Sequence, residues 1–268
     1  MDSRKSGDEA AEISLDLNLR KTKVLLTGEG VILTDGVDVP WDSIQEISDS
    51  ENVCFAVEDG TLRKIQLYSE DLNRFYSLYP TQRAPTMLLS GIPMHRIKNV
   101  DPVEDTSRKM KTISPVTGET LDICTGLGYT AIAAARSASH VTTIELDPTV
   151  IDLCRWNPWS RELFENPKIE QRIGDATEVV ETLPDSKYNR IFHDPPAFSI
   201  GGELYSGAFY RELLRILKRG GRIYHYIGDL DSTSGRVVVK GVVKRMQEAG
   251  FSRVERRPEA FGVIAEKA

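Results

Sequence analysis

A chain of 268 residues with 40% hydrophobic and 28% charged side chains can bury a substantial core, with room for one large unit or a large and a small one. It has no apolar run near the roughly 20 residues of a membrane helix, its N-terminus (MDSRKSGDEAAEISLDLN) lacks the apolar heart of a secretory signal, and Cys54, Cys124 and Cys154 form no CxxC pair. A cytoplasmic protein with reduced thiols, no membrane span and no metal site is the expectation, the four histidines (His95, His140, His193, His225) being scattered singly.

The net charge of −6 is unevenly spread: residues 1–84 carry 9 Lys+Arg against 16 Asp+Glu, and residues 203–268 carry 13 against 8. An acidic front and a basic tail follow, so general nucleic-acid affinity is weak while a local basic face remains able to attract phosphate.

From Lys21 to Leu67 short alternating strands are broken by Gly28, Gly30, Asp35-Gly36 and Asp59-Gly60, which are hairpin turn signals. WDSIQEI reads as part of this strand run. SEDLNRFYSLYP then places Leu72, Phe75, Tyr76 and Tyr79 at helical spacing with Pro80 as a stop. Residues 1–84 are thus expected to be a small β module closed by a helix, a possible protein-interaction platform. Residues 85–115, poor in periodicity, read as a linker and cofactor-entry segment.

Beyond Pro115 strands alternate with helices: ETLDI, YTAIAAARSA, HVTTIE, PTVIDLCRWN, KIEQRI, ATEVVETL, YNRIFH, LYSGAFYRELLRILKR, GGRIYHY and SGRVVVKGVVKRMQEAG, with short strands around 252–256 and 263–265. This pattern over 116–268 predicts an α/β domain whose mostly parallel sheet is covered on both faces.

In such sheets ligands lie outside the carboxyl ends of the strands, and four successive ends carry polar chemistry. In DICTGLGYT, Gly126 and Gly128 permit a tight turn and close backbone approach. In TTIELDP, Glu145 lies where a carboxylate accepts ribose hydroxyls; a solvated strand end is the plain structural account. In IGDAT, Asp175 suits an exocyclic amine or, equally, the N-cap of a helix starting at Ala176. In IFHDPPAFS, Asp194 and the carbonyls of Pro195 and Pro196 are acceptors on a stiff backbone, with Phe198 able to stack on a planar target; a rigid loop with a core Phe is the alternative.

The ordered set LDICTGLGYTA, TIELDP, RIGDA and HDPPAF resembles the successive motifs of class I S-adenosylmethionine-dependent methyltransferases, over about residues 115–268. The resemblance implies a Rossmann-like seven-stranded methyltransferase sheet behind a small N-terminal β-rich domain. It also implies S-adenosylmethionine as cofactor, held at Asp122, Cys124, Gly126 and Gly128 (amino-acid part), Glu145 and Leu146 (ribose), and Asp175 and Ala176 (adenine). Cys124 stands where the family's turn has its first glycine. DPPAF is similar to the DPPxF motif of ribosomal RNA base methyltransferases, which implies catalytic roles for Asp194, Pro195, Pro196 and Phe198 and an RNA partner. The chain as a whole resembles an uncharacterised, largely archaeal group of predicted methyltransferases.

Several alternatives remain on the residues. A nicotinamide enzyme would suit GLGYTA but not DPP at the fourth strand end. Pyrimidine C5 methylation needs an attacking cysteine, and none follows Cys154, which favours a nitrogen acceptor in an RNA base, then a protein or small-molecule amine. Polyamine aminopropyl transfer would place a pair of acids where HDPPAF has Asp194 alone, and a non-catalytic cofactor-binding module is the reading from another class. His193 reads as a packed residue or a general base, His225 and Tyr224–Tyr226 as packing residues or pocket liners, Trp156 and Trp159 as packing rather than stacking on a base, and Arg108 or Lys109 as partners for the cofactor carboxylate or, equally, part of a solvated linker. The oligomeric state is not legible.

Overall fold

The computed structural model describes residues 2–268. It divides into two compact units: residues up to Pro102 with Asp152–Trp159, and Val103–Ile151 with Ser160–Ala268. The first boundary falls beyond the position near 84 expected from the turn signals.

The first unit is a set of small antiparallel sheets. Strands Ala10–Ile13, Thr22–Leu26, Gly30–Ile32 and Asp38–Pro40 form one in chain order, around a small core of Val24, Val31 and Trp41. The Asp59-Gly60 turn behaves as its sequence requires: both residues take positive φ (49° and 75°) and join Phe55–Glu58 to Thr61–Lys64 as a hairpin. Two expectations fail here. The segment WDSIQEI is a helix, Trp41–Asp49: Pro40 (φ −59°, ψ 152°) is extended through its ψ just before it, Asp42 sits in its first turn, and the buried Trp41 indole donates to the Thr27 carbonyl at 3.1 Å.

The segment with helical spacing around Phe75 is instead a hairpin, Gln66–Ser69 with Arg74–Tyr79, turned at Asn73 with φ 52°. Pairing of Arg74–Tyr79 on its other side with Thr86–Leu89 buries Tyr76 and Leu78, and this tertiary gain overrides the local spacing. Residues 85–115 are likewise not plain linker, since they contain strands Thr86–Leu89 and Ile92–Pro93 and the helix Pro102–Thr112.

Counted from that helix, the elements are α1 (Pro102–Thr112), β1 (Glu119–Ile123), α2 (Tyr129–Ala135), β2 (His140–Glu145), α3 (Pro148–Arg155, whose residues from Asp152 onward belong to the first unit), β3 (Ile169–Ile173), α4 (Ala176–Glu181), β4 (Tyr188–His193), α5 (Gly207–Ile216), β5 (Leu217–Tyr226), α6 (Thr233–Ala249), β6 (Ser252–Arg257) and β7 (Gly262–Glu266). The sheet order is β3-β2-β1-β4-β5-β7-β6, with β7 antiparallel to both neighbours and the other pairs parallel. The central strands are buried on both faces, so their polar side chains Thr120, Asp122, Thr142 and Thr143 are buried along with the completely buried Leu121, Ile123, Ile191 and Ile223. Helices α5 and α6 start at serine N-caps, Ser206 accepting from the Phe209 amide and Ser232 from the Gly235 amide. Helix α5 is shorter than LYSGAFYRELLRILKR predicts, since Leu217 already pairs with Tyr188 and the chain bulges through Gly220 (φ 70°) before regular pairing resumes at Arg222. No helix of the described residues is long and apolar enough to cross a membrane.

Candidate functional site

The chain leaves β1 toward β2 on one side, and β4 lies on the other, so the tip of β1 is the point where strand order reverses and a crevice opens. Glu145 ends β2 and Asp194 follows β4, so they flank one central strand, on strands two spacings or roughly 10 Å apart. The Asp194 amide donates to the Ile123 carbonyl at 3.2 Å, which fixes the start of DPP against β1.

Beside it the turn after β1 is built from strained backbone. Cys124 holds φ 70°, Gly126 φ 51° and Gly128 φ 77°. The amides of Cys124 and Thr125 both donate to the Ile144 carbonyl at 3.0 Å, and Gly128 forms the left-handed entry to α2. A methyl at Gly128 would press on the Leu163 side chain at 3.0–3.3 Å, whereas one at Gly126 would point into open space, the kind of vacancy a ligand lying over the turn requires. Cys124 is a thiol: burial, then the carboxylates of Glu145 and Asp194, push its pKa well up.

Glu145 already serves the backbone. Oε2 accepts from the Gly126 amide at 2.9 Å, and Oε1 from Leu146 and Asp147 at 3.0 and 3.2 Å. A carboxylate has about four lone-pair sites, so it retains capacity for one ribose hydroxyl without releasing the turn. Burial raises its pKa while these amides oppose the rise.

Asp122 lies deeper, 1% exposed. Thr125 donates to the Thr143 hydroxyl (2.6 Å), which donates to Asp122 Oδ2 at 2.8 Å, while Oδ1 has no partner. Burial lifts the Asp122 pKa to about 8, so at neutral pH it is largely a protonated acid. Its folded pKa is raised, so its stabilising contribution is full below the ordinary 3.8 and is lost as pH rises to about 8. Asp122→Asn is expected to flatten the stability profile between pH 5 and 8; urea midpoints across that range check it, and an unchanged slope would show that Asp122 is not the titrating group.

Lys109 of α1 completes the crevice. Its ammonium is 2.6 Å from Asp194 Oδ2 and 3.0 Å from Asp105 Oδ2, 4.8 Å above the Tyr226 ring. Lys109 and Asp105 are 3% and 0% exposed, and the Asp194 side chain 22%. Burial acts to lower the Lys109 pKa, but Asp194 and Asp105 outweigh it and hold the ammonium above its ordinary value. At Asp194, burial pushes upward and Lys109 opposes. Of the two basic residues singled out in SRKMK, Arg108 pairs with Glu104 on the helix surface and Lys109 faces Asp194. Asp105 escaped the sequence reading, although its i,i+4 spacing to Lys109 was there to be used.

The remaining candidates sort by exposure. Phe198 is 48% exposed, its ring edge-on to Tyr205 at 5.3 Å. Pro195 is buried, and the Pro196 carbonyl accepts from the Tyr205 hydroxyl at 2.9 Å, which pins the loop. Asp175 caps α4, its Oδ1 taking the Thr177 amide and hydroxyl at 2.7 and 2.6 Å, with Ala176 buried behind it. Leu146 and Ile173, at the tips of adjacent β2 and β3, are 42% and 50% exposed and offer apolar surface for a flat ring.

His193 and His225 are completely buried and neutral. His193 Nε2 meets the Leu204 carbonyl at 2.9 Å, burial dropping its pKa to about 4, and His225 Nε2 accepts from the Tyr210 hydroxyl at 2.9 Å. Tyr224 donates to the Ala260 carbonyl at 2.6 Å. These three side chains are packed inside the unit, and Tyr226 at the end of that strand lies under the Lys109 ammonium.

The family described as Conserved hypothetical protein 95 matches residues 93–218. The uncharacterized protein MJ1233 of Methanocaldococcus jannaschii is 41% identical over 267 residues, 97% of this chain and 91% of its own length. Polyamine aminopropyltransferase 2 of Streptomyces coelicolor is 27% identical over 113 residues, 40% of this chain but 20% of that enzyme, so the likeness is local. A solved spermidine synthase in complex with the transition-state analogue AdoDATO superposes with a TM-score of 0.64 at 19% identity, over 76% of this chain and 73% of that one, which is a likeness of fold. With a relative matched almost end to end and strands in the order described above, the chain belongs to the family of MJ1233, and its second unit has the Rossmann-like seven-stranded methyltransferase fold.

Proposed function

We propose that the protein is an S-adenosylmethionine-dependent methyltransferase acting on a nitrogen of an RNA base. The residues present fit the cofactor: the open space over Gly126 and the unpartnered Oδ1 of buried Asp122 are what a ligand across the tips of β1 and β2 would use. Glu145 would hold the ribose, Leu146 and Ile173 would flank the adenine with Asp175 and Ala176 at its edge, and the turn from Cys124 to Gly128 would pack against the amino-acid part. When bound, the cofactor would supply an electrophilic methyl carbon on its sulfonium, the new bond to nitrogen forming as the carbon–sulfur bond breaks and its electron pair leaves with the thioether.

The observation that carries the acceptor assignment is the Lys109–Asp194 pair at 2.6 Å. An ammonium built into the crevice already neutralises one oxygen of Asp194. The other oxygen is left to accept a single N–H from an incoming amine, orienting its nitrogen and drawing density onto it. A cationic diamine would meet Lys109 at close range, as would a protonated lysine; a neutral, planar base amine would not. Phe198, half exposed beyond the prolines, supports stacking of such a base. Aminopropyl transfer to a polyamine is the second reading, favoured by the spermidine synthase likeness and disfavoured by Lys109.

Incubation with cofactor labelled on the methyl group, followed by separation of RNA, protein and metabolites, is expected to place label in RNA. Asp194→Asn is expected to lower transfer about 10²–10³-fold, the scale of a lost positioning contact, with S-adenosylmethionine affinity within a few-fold by calorimetry. Label solely in protein or metabolites, or an aminopropylated product from the decarboxylated cofactor and a diamine, would overturn the assignment.

A further inference from the structure

A second concave surface lies away from the crevice. Helix α6 and strand β6 border an open groove of about 360 Å³ whose lining includes Arg236, Lys240, Lys244 and Arg256 around Val239 and Val243, with no acid among the lining residues. In a protein of net charge −6 this is a local reversal of sign. Arg236 and Lys240 have no carboxylate partner among the described residues. Arg256 reaches Asp231 at 3.5 Å and Lys244 reaches Glu248 at 3.7 Å, both exposed pairs of the kind that contribute little and exchange readily.

The placement of these cations follows from the topology. Strand β6 is antiparallel to β7, and β7 to β5, so β6 points the same way as β5 and Arg256 lies toward the strand-tip end that carries the crevice. Helix α6 begins just after the tip of β5, which puts Arg236 at that end too. Arg236, Lys240 and Lys244 recur every four residues along one helix face, about 6 Å apart, and lead away from the tips. A row of evenly spaced cations, with a forked guanidinium at the head, matches a linear polyanion better than a single anion.

We propose that this groove binds the phosphate backbone of the RNA acceptor, tracking the strand away from the nucleotide presented at Asp194. The inference rests on the RNA reading above and names how that RNA is held. Arg236→Gln/Lys240→Gln removes two exposed, unpartnered charges. RNA binding by fluorescence anisotropy is expected to weaken roughly tenfold or more at 50 mM salt, and the slope of log affinity against log salt to shrink by about 1.4, at 0.7 per phosphate contact on a single strand. Cofactor affinity and the circular dichroism spectrum should not move, and Arg63→Gln/Lys64→Gln in the first unit, the same charge change elsewhere, should leave RNA binding intact.

Absence of RNA binding by the unaltered protein, equal losses from both double variants, an unchanged salt slope, or competition by poly-glutamate as effective as by RNA would each overturn the groove. Methylation of RNA that is indifferent to the groove variant would sink the groove and spare the methyltransferase reading. Groove-dependent RNA binding with label appearing solely in protein would leave the groove as an RNA site and overturn RNA as the acceptor.

Discussion

Lys109→Met is expected to destabilise the fold by about 3–5 kcal/mol at pH 8, the cost of leaving a buried charge without its counter-ion. Asp105 is completely buried and has Lys109 at 3.0 Å, and Asp194 loses its ammonium in the same step. The sign with pH is fixed by what remains. Burial already pushes the Asp194 pKa up with Lys109 opposing; without the ammonium that rise is unopposed, so its protonated form favours the fold at low pH and the deficit grows as pH rises. The penalty measured from urea midpoints should therefore be smaller at pH 5 than at pH 8, and Lys109→Met/Asp105→Asn should recover part of it. A loss under 1 kcal/mol that ignores pH would mean that solvent, not Lys109, neutralises these acids. Transfer to a neutral base amine should fall with Lys109→Met even in protein shown to be folded, because Asp194 is no longer held ionised and oriented.

Glu145→Ala should weaken S-adenosylmethionine binding by about 1.5–3 kcal/mol, roughly ten- to hundredfold, the value of a hydrogen bond to a charged acceptor. The same carboxylate ties the Gly126 amide to the tip of β2, so the variant removes the ribose partner and loosens the turn on which the ligand would lie. Glu145→Gln should be no rescue: one side of the carboxamide becomes a donor, and both oxygens of the native carboxylate face amide N–H groups. Calorimetry at a temperature where both variants are folded separates the roles. Unchanged affinity with a lowered melting temperature would leave Glu145 a purely structural brace.

Much of the second unit was legible because its signals are local. Strand and helix periodicities alternate cleanly beyond Pro115, and the fold rule that ligands sit at strand tips directed attention to Glu145, Asp175 and Asp194, Asp122 being added by the family resemblance alone. What the sequence hid was long-range. Lys109 and Asp194 are 85 residues apart and become partners only when α1 closes over β4. The helix itself carried a signal that went unread, since Pro102 opens it, Glu104 and Asp105 occupy its first turn, and Lys109 and Lys111 its last. In the first unit the spacing of Leu72, Phe75, Tyr76 and Tyr79 fits a helix, yet the flanking strands decide otherwise, because a strand's face is defined by its neighbours.

The reversed strand β7 has a consequence for how the protein comes into being. It follows β6 in the chain, yet it lies between β5 and β6, hydrogen-bonded on both sides. Until Gly262–Glu266 emerges from the ribosome, β5 has an open ladder and β6 has nothing to join. The four strands whose tips form the crevice are complete some seventy residues earlier, as β4 ends at His193. On the nascent chain, the ligand-holding half can therefore assemble first, and the outer half snaps shut by insertion of a single late strand.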